Sequence, residues 1–312
     1  NIMIGIVWNP TKVDEATLRD AVSAAFGDEE VRWWETSADD PGRAMAEEAL
    51  ADGCDTVVAV GGDGTVRIVA EVLAQSEEPH AASLGIVPQG TGNLLARNLD
   101  IPLGNIGTAL ERIAAGRTRD IDMGWVRTDS ADHETGFVVM IGFGLDANML
   151  SETDDDLKDK AGWLAYAEAM GRAVAASEVV DLTLTLDDHS PKEKSGHTLL
   201  IGNCGMIQGG ITLLPDAQPD DGKLDLLLVS ADGALQWMHT LRAVVWDNGI
   251  RRLLGGGTDH APASTDHAHY DTAERIEVTL ASPQPFEIDG EEAGEVASYS
   301  VRVQPGAVRV LC

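Results

Sequence analysis

Thr56-Val57-Val58-Ala59-Val60-Gly61-Gly62-Asp63-Gly64-Thr65 decides the fold of this chain. An apolar, β-branched strand empties into a glycine-rich turn, and a helical pattern follows over 66–73. Such a turn presents bare backbone N–H groups and the positive end of a helix dipole, which is how proteins hold phosphate. On either side the same grammar recurs. Apolar runs at 3–7, 31–34 and 84–87 alternate with helical patterns at 15–26, 42–50, 94–98 and 106–115, so this part reads as a parallel sheet covered by helices. The turn Pro88-Gln89-Gly90-Thr91-Gly92-Asn93 ends the next strand. In an open parallel sheet ligands gather beyond the carboxyl ends of adjacent strands, so the two glycine turns should face one crevice.

Past about residue 119 the grammar changes. Strand-like runs at 121–126, 136–141, 179–186, 197–201, 224–229, 276–280 and 285–288 are separated by polar, Gly- or Asp-containing turns, and helical patterns interrupt at 157–176 and 234–245. This predicts a mainly β second domain: an α/β domain over 1–125 and a β-rich one over 126–306. A last strand at 307–311 could belong to either, and the segment 255–272 reads as a loop.

Composition narrows the function classes. With 52 acidic against 22 basic residues, a net charge of −30 repels nucleic acid and anionic lipid alike, so nucleic acid is excluded as a partner and the charge serves solubility. Cys54, Cys204 and Cys312 are scattered, which indicates neither a zinc site nor a disulfide framework and suits a reducing cytosol. No apolar run approaches the roughly 18 to 20 residues of a membrane span, and the N-terminus lacks the plan of a signal peptide. The expectation is a cytoplasmic protein without a transmembrane segment.

Several acidic groups remain open to two readings. Asp289-Gly290 suits a two-residue hairpin with no chemistry, or a carboxylate at a strand end that accepts a proton. Asp216, Asp220 and Asp221 form either an ordinary turn or oxygen ligands suited to magnesium or calcium. Asp154-Asp155-Asp156 reads as an acidic helix start, and His260, His267 and His269 with Asp266 and Asp271 as a solvated loop. The apolar segment Trp237 to Leu254, with Arg242, Arg251 and Arg252, packs on the β domain or meets a membrane.

Taken in order, Gly61-Gly62-Asp63-Gly64-Thr65, Pro88 to Asn98, Gly142-Phe143-Gly144-Leu145-Asp146-Ala147, Asp220-Asp221-Gly222-Lys223-Leu224-Asp225 and Ile288-Asp289-Gly290-Glu291 resemble the soluble lipid kinases that include bacterial diacylglycerol kinases and sphingosine kinases. The resemblance implies a doubly wound nucleotide domain, a β-sandwich-like second domain and an active site between them. It implies an ATP site lined by Asn9, Thr36, Gly61, Gly62, Asp63, Gly64, Thr65, Thr91 and Asn93. Asp289 would be the catalytic base with Glu291 beside it, and the loop of Asp216, Asp220 and Asp221 would hold a structural magnesium. The implied reaction moves the γ-phosphoryl group of ATP to a lipid hydroxyl, diacylglycerol by default and a sphingoid base or other lipid alcohol as alternatives. Transient contact with a membrane surface follows, and a homodimer is compatible. Two departures stand out: Thr11-Lys12 where relatives often carry Ser-Gly, and Leu94 where many diacylglycerol kinases have Asp. Rival readings are an NAD kinase, which shares Gly-Gly-Asp-Gly, and a nucleotide- or lipid-binding relative without turnover.

Overall fold

The computed structural model describes residues 2–144, 178–208, 212–230 and 268–312. Asp146, the Asp154 to Asp156 run, the helical patterns at 157–176 and 234–245, the Trp237 to Leu254 segment, His260, Asp266 and His267 lie outside the described residues.

The first half contains β1 (Met3–Trp8), α1 (Glu15–Phe26), β2 (Glu30–Glu35), α2 (Arg43–Ala51), β3 (Thr56–Gly61), α3 (Asp63–Ala74), β4 (Ser83–Pro88), α4 (Leu94–Asn98) and α5 (Ile106–Ala114). Its strands are parallel in the order β2-β1-β3-β4, with Ile4 opposite Thr56 and Thr56 opposite Ser83. Side-chain alternation explains why both faces are covered. Val58 and Val60 of β3 join Ile4, Ile6 and Trp8 against Leu18 of α1 and Leu110 of α5. Val57 and Ala59 point the other way, against Ala46 and Ala49 of α2 and Val66 and Val69 of α3. Caps fix where the outer helices start: Asp14 accepts from the Thr17 N–H at 3.0 Å, and Asn105 from the Thr108 N–H at 2.9 Å.

The second half is antiparallel apart from one contact: β5 (Thr118–Thr128), β6 (Thr135–Phe137), β7 (Met140–Phe143), β8 (Val180–Leu186), β9 (Lys192–Gly202), β10 (Leu224–Ser230), β11 (Ala268–Ala273), β12 (Arg275–Ile288) and β13 (Glu291–Leu311). β8 pairs with both β12 and β9, so the sheet folds back on itself around Phe137, Phe143, Phe286 and Leu226. The mixed architecture, doubly wound α/β followed by a β sandwich-like unit, is the one expected.

Three elements differ from the sequence reading. The segment 255–272 reads as a loop, yet Ala268–Ala273 is a strand, with Tyr270 opposite Leu227. The runs at 276–280 and 285–288 are one strand, β12, irregular in register between Thr279 and Gln284. β13 spans 21 residues where only its last five read as strand. It pairs with β12 and β5, and then with β4 in parallel through Val310 and Leu84, so one strand runs through both halves. No helix among the described residues is long and apolar enough to cross a membrane.

Candidate active site

The carboxyl ends of β1, β3 and β4 meet the β12–β13 turn around a cleft of ≈ 380 Å³. Asn9, Gly62, Asp63, Gly64, Thr65, Thr91, Asp289 and Glu291 all line it. Gly61, Asn93 and Thr36 do not. Gly61 accepts from the Gln89 N–H at 2.8 Å, joining the two glycine turns, and Thr36 is buried with its N–H given to the Trp8 carbonyl at 2.9 Å.

Gly62 opens α3 without a side-chain cap bond, and a helix start of this kind can hold an anion on its backbone N–H groups. The two turns touch backbone to backbone. A Cβ on Gly90 would come 2.7 Å from the Gly62 Cα, so this approach requires glycine. Asp63 and Asn93 build the turns. The Asp63 carboxylate accepts from the N–H groups of Asn93 (2.8 Å) and Leu94 (2.6 Å), tying the second turn to the first. Asn93, left-handed at φ 48°, accepts from the Gly90 N–H at 2.8 Å and donates to the Gly90 carbonyl at 2.7 Å. Burial, and secondarily the charge of Glu291, push the Asp63 carboxyl up from its ordinary value. Asn9 closes its own turn, accepting from the Thr11 N–H at 2.9 Å and its hydroxyl at 2.7 Å.

On the opposite wall Asp289 and Glu291 are treated very differently. Asp289-Gly290 is a two-residue hairpin turn, with Ile288 opposite Glu291 and φ of 48° and 81°. The Asp289 carboxylate points inward and is buried. It accepts from the N–H groups of Val138 (2.8 Å) and Val139 (2.8 Å), in the short break between β6 and β7, and of Met140 (2.9 Å), which opens β7. Burial raises its pKa to about 6, partly offset by those N–H groups and by Arg67. Glu291 is instead half exposed. Its Oε2 accepts from Arg67 at 2.9 Å, and its Oε1 hangs over the first turn, 2.5 Å from where a Cβ on Gly64 would stand. Neither Arg67 nor the Val138 to Met140 N–H groups were legible in the sequence; a backbone donor carries no residue signature.

The rest of the cleft is divided by polarity. Among the described residues Lys12 is the one cation on its lining, while Leu94, Met140, Ile141, Leu200 and Ile207 form an apolar wall.

Asp216, Asp220 and Asp221 do not assemble as a set. Among the described residues no three His, Cys, Asp or Glu side chains group as a metal cluster. Asp220 pairs with Arg119 at 2.8 Å, and Asp221 accepts from the Lys223 N–H at 3.0 Å. Asp225, which follows on β10, is buried. Its pKa is raised to about 6 by burial and then by the charges of Asp221 and Asp216. Asp216, Asp221 and Asp225 are oxygen donors, the type a hard divalent cation takes, but among the described residues they do not group as a cluster.

Comparison with known proteins bears on the same elements. The diacylglycerol kinase catalytic domain family matches residues 6–126, and the YegS C-terminal NAD kinase beta sandwich-like domain matches residues 139–312. A "Probable lipid kinase YegS-like" from Xanthomonas campestris pv. campestris (strain 8004) is 36% identical over 233 residues, covering 72% of this chain and 73% of the relative. The chain belongs to this lipid kinase family. A "Diacylglycerol kinase" from Staphylococcus aureus (strain JH9) is 28% identical over 306 residues, 96% of this chain and 89% of the relative. A crystal structure of a diacylglycerol kinase from Bacillus anthracis shares the fold, with a TM-score of 0.69 at 19% identity over 99% of this chain and 96% of that one. This member of the kinase family thus carries both glycine turns and the Asp289 to Glu291 hairpin on a single cleft.

Proposed function

We propose that this chain transfers the γ-phosphoryl group of ATP to the hydroxyl of a lipid alcohol, with diacylglycerol as the acceptor and phosphatidic acid as the product. The observation that carries the reading is the two-sided cleft: uncapped α3 N–H groups and Lys12 on one side, an apolar wall of Met140, Ile141, Leu200 and Ile207 on the other. The first side suits a triphosphate, and the second suits the glycerol and upper acyl carbons of a lipid.

Glu291 is the base in this proposal, in place of Asp289. Both Asp289 oxygens are occupied by backbone N–H groups, whereas Glu291 leaves Oε1 open toward the α3 turn. As the acceptor oxygen attacks the γ-phosphorus, Glu291 takes the hydroxyl proton, and ADP leaves with the β–γ bridging oxygen. Asp63 and Asn93 hold the two turns together, and Asp289 holds the hairpin that presents Glu291. Magnesium bound with the nucleotide supplies positive charge for the developing phosphate oxygens. Asp221 and Asp216, with Asp225 behind them, would hold a second, structural magnesium; Asp220 is committed to Arg119. The acceptor is met at a membrane surface, since diacylglycerol resides there.

The test is transfer of label from [γ-32P]ATP to a panel of lipid alcohols presented in mixed micelles, with NAD included. Labelled phosphatidic acid, lost in Glu291→Gln, supports the reading. Label on NAD alone, or none on any lipid, overturns it.

A further inference from the structure

Behind Glu291 runs a chain of alternating charges that crosses between the two halves of the molecule. Glu71 of α3 is almost fully buried and holds three groups. Its Oε1 accepts a hydrogen bond from Arg43 of α2, and its Oε2 accepts from the Gly136 N–H of β6 at 2.9 Å. The same Oε2 lies 3.8 Å from Arg67, one helical turn back on α3. Arg67, with only 13% of its side chain exposed, then donates to Oε2 of Glu291 at 2.9 Å. The order is Arg43, Glu71, Arg67, Glu291, cation and anion in turn.

One detail separates this arrangement from ordinary structural ion pairing. The Nε of Arg67 is buried with no acceptor. A stranded buried donor costs about 1–3 kcal/mol. An arginine kept only for stability would turn its fork fully onto Glu71 and make a bidentate pair. Arg67 instead stays 3.8 Å from Glu71 and spends its good hydrogen bond on the half-exposed Glu291. A pair so exposed on one side contributes little stability. What it does fix is which oxygen faces the cleft: Oε2 is tethered, so Oε1 is the one over Gly64.

We propose that Arg67, itself held by Glu71, is a positioning residue that sets the orientation of the Glu291 carboxylate for proton abstraction. The inference rests on the reading of Glu291 as the base. Without the tether, Glu291 samples several rotamers in the open cleft, and a misplacement of about 1 Å is enough to cost up to roughly a hundredfold in rate. The nucleotide turns do not use Arg67, so ATP should bind as before.

The experiment compares Arg67→Gln, Arg67→Lys, Glu71→Gln and Glu291→Gln, singly and with Arg67→Gln combined with Glu291→Gln. Expected for Arg67→Gln is a kcat lower by about tenfold or more, with KM for ATP and the calorimetric Kd for ATP without acceptor changed by less than about twofold. Arg67→Lys restores the cation and should recover part of the loss. Glu71→Gln should show the same kcat-only signature to a smaller degree, and Arg67→Gln should add nothing to Glu291→Gln. Wild-type kcat in Arg67→Gln, a loss confined to KM, or a further loss in the double variant overturns the proposal. Should Arg67→Gln melt too low to assay, Arg67→Lys and Glu71→Gln decide on the same criteria. Near-normal turnover in Glu291→Gln overturns the base reading instead, whereas an inactive Glu291→Gln beside an unaffected Arg67→Gln defeats this inference alone.

Discussion

Replacing Asp289 should separate stability from chemistry at two positions only two residues apart. In Asp289→Asn the side-chain oxygen still accepts from Val139 and Met140, and Asn tolerates the left-handed φ of 48°. In Asp289→Ala the Val139 and Met140 N–H groups lose their shared acceptor, at about 1–3 kcal/mol each, and the left-handed backbone costs about 1 kcal/mol more. Asp289→Ala should therefore lie about 3–7 kcal/mol below Asp289→Asn in urea unfolding at pH 7.5. The pH dependence follows from the raised pKa. The folded carboxyl titrates at about 6 against an ordinary 3.8, so the native state holds this proton more tightly than the unfolded chain. Its ionisation thus removes stability as pH rises from about 4 to about 6, by about 3 kcal/mol at one pKa unit per 1.36 kcal/mol. Arg67 is the charged group that eases this ionisation, and Cys204 is the titratable neighbour. Asp289→Asn should lose that component, flattening the difference between pH 4 and pH 7, while keeping much of its turnover. Equal stability of the Ala and Asn variants would refute the role of this carboxylate in organising the β6–β7 break. Turnover in Asp289→Asn as low as in Glu291→Gln would return the base role to Asp289.

Gly90→Ala brings a Cβ within 2.7 Å of the Gly62 Cα, backbone that cannot swing aside, so KM for ATP should rise by about tenfold or more in steady-state kinetics; an unchanged KM would mean the turns do not clasp the nucleotide together. Phe137→Ala empties a fully buried site packed on Gly124, and chemical denaturation should register a loss of about 3–5 kcal/mol. Magnesium without nucleotide should raise the melting temperature of the wild type but not of Asp221→Asn, while Asp220→Asn, which loses only its Arg119 partner, keeps the response. A full magnesium response in Asp221→Asn would place the cation elsewhere.

The parts legible in the sequence were those whose signals are local. β3, its glycine turn and α3 announce themselves within 19 consecutive residues, because strand burial, helix periodicity and turn chemistry sit side by side. β13 was hidden for the opposite reason. Its exposed positions carry Glu, Ser and Arg, it passes through Gly294 and Pro305-Gly306, and its partners β12 and β5 hold it extended. β11 is an edge strand whose His and Asp residues read as loop, and pairing with β10 overrides that composition. At the site, glycine turns were readable because glycine's lack of a side chain is itself the signal. The division of labour between Asp289 and Glu291 was not, since adjacent acidic residues look alike until the fold sends one inward to three backbone donors. Arg67 and Glu71 sit among ordinary helix formers, and their pairing with Glu291, more than two hundred residues away, has no local trace.

β13 also dictates an order of assembly. β4 gains its second neighbour only through Val310, although β4 itself ends at Pro88. During synthesis the N-terminal sheet therefore waits with its β4 edge open until more than two hundred further residues have emerged, so the part of the protein made first is among the last to be finished. Such late, distant closure slows folding and leaves an apolar edge available to chance partners in the meantime. Chaperone demand should accordingly concentrate on nascent chains that have completed β4 but not yet released β13.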